Sequence, residues 1–225
     1  MKEIWFIRHG ESMGNAGFAT SDPATIPLTD LGHKQAEALA NYIKLEPDLL
    51  ITSPFTRTSQ TAAPTINRFR SVMQDVWDIQ EFTYLSPVRC ANTTMAERKG
   101  MVDEYWQLSD PNHTDGDGSE SFSDLISRVQ SMWQQLEKLK PDAKLLLFTH
   151  GLFMNALRWS AANSFAPLTA VSMKHFHDFH LSHPVQNCGT LKCLLDLDKQ
   201  IWLQPGIDDY VSRKTLAAED ATSSD

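Results

Sequence analysis

The stretch Glu3-Ile4-Trp5-Phe6-Ile7-Arg8-His9-Gly10 reads as a short buried strand that stops on an arginine and a histidine. Two later stretches have the same form. Residues 48–52 (DLLIT) lead through Ser53-Pro54 to Arg57, and 144–149 (KLLLFT) end at Thr149-His150-Gly151. Between these three runs lie long segments of helical period. That alternation predicts an α/β protein with a largely parallel sheet. Further strands are expected at 74–79, 190–197 and 201–203.

The helices are placed by their ends. Thr29 or Asp30 can cap a helix over about 31–44, where Leu31, Ala38, Leu39 and Tyr42 share a face. Ser53-Pro54 offers an N-cap followed by proline, so a helix is expected to begin there and to kink or end at Pro64. Ser121 with Asp124 resembles a capping box before a helix of about 122–139, with Leu125, Val129, Met132 and Leu136 on one stripe. Residues 151–162 continue as helix straight from the third strand, and helix is expected within 94–108. Residues 109–119 (SDPNHTDGDGS) are all loop formers. The expectation is one domain over 1–213, with 82–120 as a lid or insertion over a site and 214–225 a frayed tail.

Composition narrows the function. With 28 acidic and 20 basic side chains, the formal charge of −8 argues against a nonspecific nucleic-acid binder, which needs a basic excess. No apolar run approaches the roughly 18 residues of a membrane span, and none near Met1 suits a signal peptide. Cys90, Cys188 and Cys193 are three, so they cannot all pair within one chain. If 187–197 is a strand, Cys188 and Cys193 point to opposite faces. Reduced thiols and a cytoplasmic location are the expectation.

The chemistry is read from position. In parallel α/β sheets the carboxyl ends of the strands line the ligand crevice, so Arg8, His9, Arg57 and His150 can converge although they are far apart in sequence. Two imidazoles and two planar guanidinium forks suit an anion, above all a phosphoryl group, with the N–H groups of an adjacent helix N-terminus such as that at Gly151.

These residues also carry a family resemblance. Arg8-His9-Gly10-Glu11-Ser12 with Asn15, Leu28-Thr29 with Gly32 and Gln35-Ala36, Ser53-Pro54-Phe55-Thr56-Arg57 with Gln60-Thr61-Ala62, Thr149-His150-Gly151 and the late Asn187-Cys188 stand in order along nearly the whole chain. Together they resemble the histidine phosphatase superfamily, the phosphoglycerate-mutase-like fold. The resemblance implies a three-layer α/β/α sandwich and a phosphomonoesterase that needs no metal or other cofactor. It makes His9 the nucleophile of a phosphohistidine intermediate, and sets Arg8, Arg57, His150, Asn15 and Gly151 around the phosphoryl oxygens. Glu81 is the expected acid for the leaving alcohol, with Asp78 the competing choice. The expected partner is a small phosphorylated substrate, with neither nucleic acid nor membrane involved. The sequence does not give an oligomeric state.

Rival readings keep the same residues. Mutases of this type carry a Glu-Arg-His-Tyr-Gly segment after the acid, where this chain reads Glu81-Phe82-Thr83-Tyr84-Leu85, so hydrolysis is favoured. Arg89, Arg98 and Lys99 can still place positive charge over the crevice. A binding protein that has lost the reaction is disfavoured because His9, Arg8, Arg57 and His150 are all present. Glu11 is read as structural, Ser12 as a substrate contact or a cap, and Glu120 as a charge near a helix N-terminus. His175, His177, His180 and His183 form a second cluster, where helical spacing would set His177 beside His180 as in a Zn or Ni site.

Overall fold

The computed structural model describes residues 1–163, 167–196 and 201–204. The tail expected over 214–225, and residues 205–213 before it, lie outside the described residues. Six strands form one sheet in the order β3-β2-β4-β1-β5-β6. They are β1 (Lys2–Arg8), β2 (Leu49–Thr52), β3 (Met73–Val76), β4 (Lys144–Thr149), β5 (Thr190–Leu195) and β6 (Ile201–Gln204). The pairs β1–β4, β2–β4 and β2–β3 are parallel, whereas β5 joins β1, and β6 joins β5, in antiparallel fashion.

The helices are α1 (Asp30–Tyr42), α2 (Thr56–Arg68), α3 (Pro87–Cys90), α4 (Lys99–Leu108), α5 (Phe122–Lys138), α6 (Gly151–Ala162) and α7 (Ala170–Ser182). They cover both faces of the sheet. On β1 the side chains alternate: Ile4 and Phe6 join the core with α5 and α6, and Trp5 and Ile7 join the core with α1 and α2. Leu145 and Leu147 of β4 face the first of these cores, and Leu146 and Phe148 the second. A strand buried on both faces has no polar side to show, which is why β1 and β4 read as continuous apolar runs.

The caps also follow the sequence. Thr29 accepts the Gly32 N–H at 3.0 Å, and Ser121 and Asp124 form the full capping box of α5. One expectation fails at α2. Ser53 does not cap it; the helix starts at Thr56 with Phe55 as N-cap, because the Ser53 hydroxyl is drawn into a bond with His150. The helix does not end at Pro64 but runs on to Arg68. The strand expected over 190–197 stops at Leu195, and Cys188 precedes it with φ +56°. All three cysteines are buried and unpaired.

One close approach fixes the loop after β1. A Cβ on Gly32 would stand 2.0 Å from the Glu11 carbonyl oxygen, and one on Gly10 would stand 2.6 Å from the Gly32 carbonyl oxygen. The loop and α1 therefore touch backbone to backbone, with the Thr29 N–H donating to the same Glu11 carbonyl at 2.9 Å. Gly32→Ala is expected to destabilise the protein by about 2 kcal/mol or more, since backbone rather than a side-chain tip must move. Urea unfolding of the variant beside wild type measures this, and an unchanged midpoint would contradict the packing described.

Candidate active site

The parallel register brings the site together. Arg8 pairs with Thr149 and Thr52 with Phe148, so β1, β2 and β4 end at one edge of the sheet. The residues that follow, His9, Ser53 and His150, are all buried there. The His9 and His150 rings lie 5.1 Å apart between centroids.

His9 is held as one tautomer. Its Nδ1 stands 2.6 Å from the Gly10 carbonyl oxygen, which can only accept, so Nδ1 carries the proton and Nε2 presents a lone pair. The Arg57 Nε–H donates to that Nε2 at 3.1 Å. Burial, followed by the nearby guanidinium groups of Arg57 and Arg8, holds the His9 pKa well below the ordinary histidine value. The imidazole is therefore neutral at pH 7.

Two buried nitrogens around it have no protein partner. Arg8 spends Nη1 on the Val185 carbonyl at 2.5 Å, yet its buried Nε is left over. His150 has Nε2 on the Ser53 hydroxyl at 2.7 Å, and its buried Nδ1 is left over too. Ser53 can donate to Nε2, which leaves the proton of a neutral His150 on the free Nδ1. Burial first, then Arg57, holds His150 well below the ordinary value as well. Arg57 is lowered to about 10 by burial, so it remains cationic at neutral pH. Its Nη1 donates to the Pro23 carbonyl at 2.7 Å. A buried donor without an acceptor is costly, and two beside a cationic guanidinium mark the place of an anion.

The other expected residues are also here, in altered parts. Glu81 stands at the N-terminus of α6, where its carboxylate accepts the N–H groups of Leu152 at 3.1 Å and Phe153 at 3.3 Å, besides its neighbour Phe82 at 3.1 Å. Those α6 donors, expected to be free for phosphate, are engaged by this carboxylate. Asp78 is exposed. A Cβ on Gly151 would touch Arg8 Nε at 3.4 Å, so the glycine keeps that face of the guanidinium open. Asn15 is exposed, and its carbonyl oxygen accepts from the Ser12 hydroxyl at 3.1 Å and from Asn187 Nδ2 at 3.1 Å. Glu11 accepts the Thr29 hydroxyl at 2.8 Å, a structural part. Glu120 pairs with Arg128 at 2.6 Å and accepts the Thr83 N–H, so it ties the 82–120 segment down rather than serving only as a helix-end charge.

Three residues quoted in the motifs, but given no part at the site by sequence reasoning, support it. Ser53 orients His150, the Thr61 hydroxyl accepts the Gly10 N–H at 3.0 Å, and Asn187 donates to the His9 carbonyl at 3.2 Å. Each makes a long-range side-chain bond that has no local signal. The α7 histidines turn to different neighbours. His177 stacks on Trp106 at 4.4 Å, His180 meets Asn155, and His183 lies against Phe179. Among the described residues, no three His, Cys, Asp or Glu side chains gather as a metal site requires.

The two buried histidines make a stability prediction. Both are neutral in the folded protein, whereas the unfolded chain takes up their protons at about pH 6.5. Below that pH the unfolded state binds more protons than the native state, so stability is full above about 6.5 and falls as pH drops toward the folded-state values. The slope is expected to reach about 1.4 kcal/mol per pH unit for each histidine. His180, lowered to about 4 by burial, acts in the same sense and is left in place as a background. Urea midpoints at several pH values, for wild type and for His9→Gln/His150→Gln, check this. A slope equal in both proteins would count against it.

Comparison with known proteins agrees with this geometry. Residues 4–190 match the model of the histidine phosphatase superfamily, branch 1. A probable phosphoglycerate mutase GpmB of Yersinia enterocolitica is 26% identical over 171 residues, covering 70% of this chain and 73% of that protein. The crystal structure of a phosphoserine phosphatase from Entamoeba histolytica, in complex with 3-phosphoglyceric acid, superposes with a TM-score of 0.71 at 16% identity, covering 94% of this chain and 99% of that one. A mycobacterial glucosyl-3-phosphoglycerate phosphatase in complex with VO3 gives a TM-score of 0.70 at 21% identity, over 91% and 98% of the two chains. The α/β sandwich, the matched span and the ordered motifs agree: this chain belongs to the histidine phosphatase superfamily.

Proposed function

We propose that the protein is a phosphomonoesterase that hydrolyses small phosphoesters through a phosphohistidine on His9, without a metal. The observation that carries the reading is the pair of buried, unpartnered donors, Arg8 Nε and His150 Nδ1, beside the bare Nε2 of His9. A phosphoryl group placed there takes up both donors and draws the Arg57 guanidinium from Nε2 onto its oxygens. Nε2 then attacks phosphorus as the bond to the alcohol oxygen breaks, and that oxygen leaves with a proton from Glu81. In the second half Glu81 takes a proton from water, whose oxygen attacks phosphorus and returns the electron pair to Nε2. Arg8, Arg57 and His150 are already placed where negative charge is spread in both transition states, with Asn15 at the edge. The segment 82–120 serves as the lid.

Mutase action needs a second anion site to retain the bisphosphorylated state. The cations that sequence placed over the crevice are committed elsewhere: Arg89 to Asp115, Lys99 to Asp103, and Arg98 to carbonyl and hydroxyl oxygens. Hydrolysis is the reading these contacts support. It is tested by p-nitrophenyl phosphate turnover in excess EDTA, together with conversion of 3- to 2-phosphoglycerate with and without added bisphosphate. Chelator-resistant release of phosphate with no isomerisation is the expected result, and no turnover of any phosphoester would overturn the reading.

A further inference from the structure

A cavity of about 180 Å³ opens from the phosphoryl site, with Arg57 and Glu81 in its wall. For scale, roughly 150 Å³ lined by apolar side chains suffices to hold a benzene ring. Ile26, Phe55, Tyr84, Leu85, Met95 and Val102 line it. Its uncharged polar side chains include Thr20, Ser21 and Thr83, with the Tyr84 hydroxyl and the Cys90 thiol.

The charges in that wall decide what it can accept. Arg57 lies with His9 at the phosphoryl end. Glu81, beside it, brings no positive charge to a second anion. Arg98 is the remaining cation, and it is occupied by the protein. Its Nε donates to the Thr93 hydroxyl at 2.8 Å, while Nη2 lies on the carbonyls of Thr20, Cys90 and Thr93 at 3.1, 2.9 and 2.7 Å. These bonds tie the 90–94 turn to Thr20, where Thr20 and Thr93 also form a bridge. Arg98 thus holds the lid to the loop after β1, and withdrawing it to meet a substrate carboxylate would break that tie. A carboxylate or second phosphate entering here would lose its water among aliphatic and aromatic side chains, and the Arg98 groups bonded to Thr20, Cys90 and Thr93 would have to leave those oxygens to meet it.

We infer that the natural substrate is the phosphomonoester of an uncharged, largely apolar alcohol about the size of one aromatic ring, and that Ile26, Leu85 and Met95 help to select it. The inference rests on the phosphatase reading and adds the substrate class to it. Three alkyl esters, 2-phenylethyl phosphate, glycerol 1-phosphate and 3-phosphoglycerate, separate the possibilities because each leaves as an aliphatic alcohol. The value of kcat/KM is expected to be at least about 30-fold higher for 2-phenylethyl phosphate than for 3-phosphoglycerate, as burial of one ring face in an apolar pocket implies. Glycerol 1-phosphate should fall between them. Met95 is exposed at the rim, so Met95→Arg should fold normally. It should raise kcat/KM for 3-phosphoglycerate relative to that for 2-phenylethyl phosphate by about tenfold, as expected of one new charge pair.

Equal or better turnover of 3-phosphoglycerate by wild type would overturn the inference and leave the phosphatase reading standing. Failure to hydrolyse any ester would overturn that reading. The pocket would then be judged by calorimetric titration of His9→Ala with 2-phenylethyl phosphate and 3-phosphoglycerate, where tighter binding of the second ester would overturn the inference as well.

Discussion

His9→Ala is expected to lower kcat for p-nitrophenyl phosphate by about 10⁴-fold or more while leaving KM within a few-fold of wild type. The split follows from the geometry. Substrate is held by Arg8, Arg57 and His150, each of which keeps an anchor without the His9 side chain: Arg8 the Val185 carbonyl, His150 the Ser53 hydroxyl, and Arg57, which loses its bond to Nε2, the Pro23 carbonyl. The loop that carries residue 9 is pinned by backbone bonds, His9 N–H to the Thr149 carbonyl and Cys188 N–H to the His9 carbonyl. What the substitution removes is the one lone pair aimed at the phosphorus. A second measurement follows the intermediate itself. Wild type quenched during turnover should carry a phosphoryl label stable in alkali and lost in acid, and the variant should carry none. A variant that retained a tenth of the wild-type rate would show that the attack comes from elsewhere.

Much of this site was legible because its residues sit at strand ends, where sequence pattern and chemistry coincide. The apolar runs of β1 and β4 end on Arg8-His9 and Thr149-His150, and the parallel register does the rest by aligning Arg8 with Thr149. The capping box of α5 and the start of α6 at Gly151 were equally local and equally readable. Ser53 shows where such reading stops. Serine before proline has the form of an N-cap, yet a bond to His150, 97 positions away, outweighs the local choice and the helix starts two residues later than that cap would set it. The same limit applies to charge. Arg89, Arg98 and Lys99 read as cations over the crevice, but a sequence does not show that Asp115, three backbone carbonyls and Asp103 are already in contact with them. The formal charge of −8 therefore describes the outside of the molecule. Within the site the charge is positive, and distant surface acids are largely screened beyond a Debye length of about 8–10 Å.

Glu81→Gln is expected to slow hydrolysis of alkyl phosphates by about 10²- to 10⁴-fold, the range of a lost general acid, and to slow p-nitrophenyl phosphate by less than about tenfold. The difference arises because p-nitrophenolate leaves readily without a proton and an alkoxide does not. Glutamine suits the test because Glu81 Oε1 accepts from Phe82, Leu152 and Phe153 N–H groups, whereas Oε2 accepts only from Leu152, at 3.3 Å. An amide oxygen in the place of Oε1 keeps three of the four contacts, so the side chain stays at the α6 N-terminus and only its proton chemistry is lost. Removal of the charge beside Arg8 and Arg57 changes substrate binding for both esters alike. Electrostatics would thus shift the two rates together, and acid catalysis would separate them. The ratio of kcat/KM for 2-phenylethyl phosphate to that for p-nitrophenyl phosphate, in wild type and variant, is the deciding quantity: a ratio unchanged by the substitution would leave Glu81 as a cap for α6 and require another proton donor on the far side of phosphorus from His9.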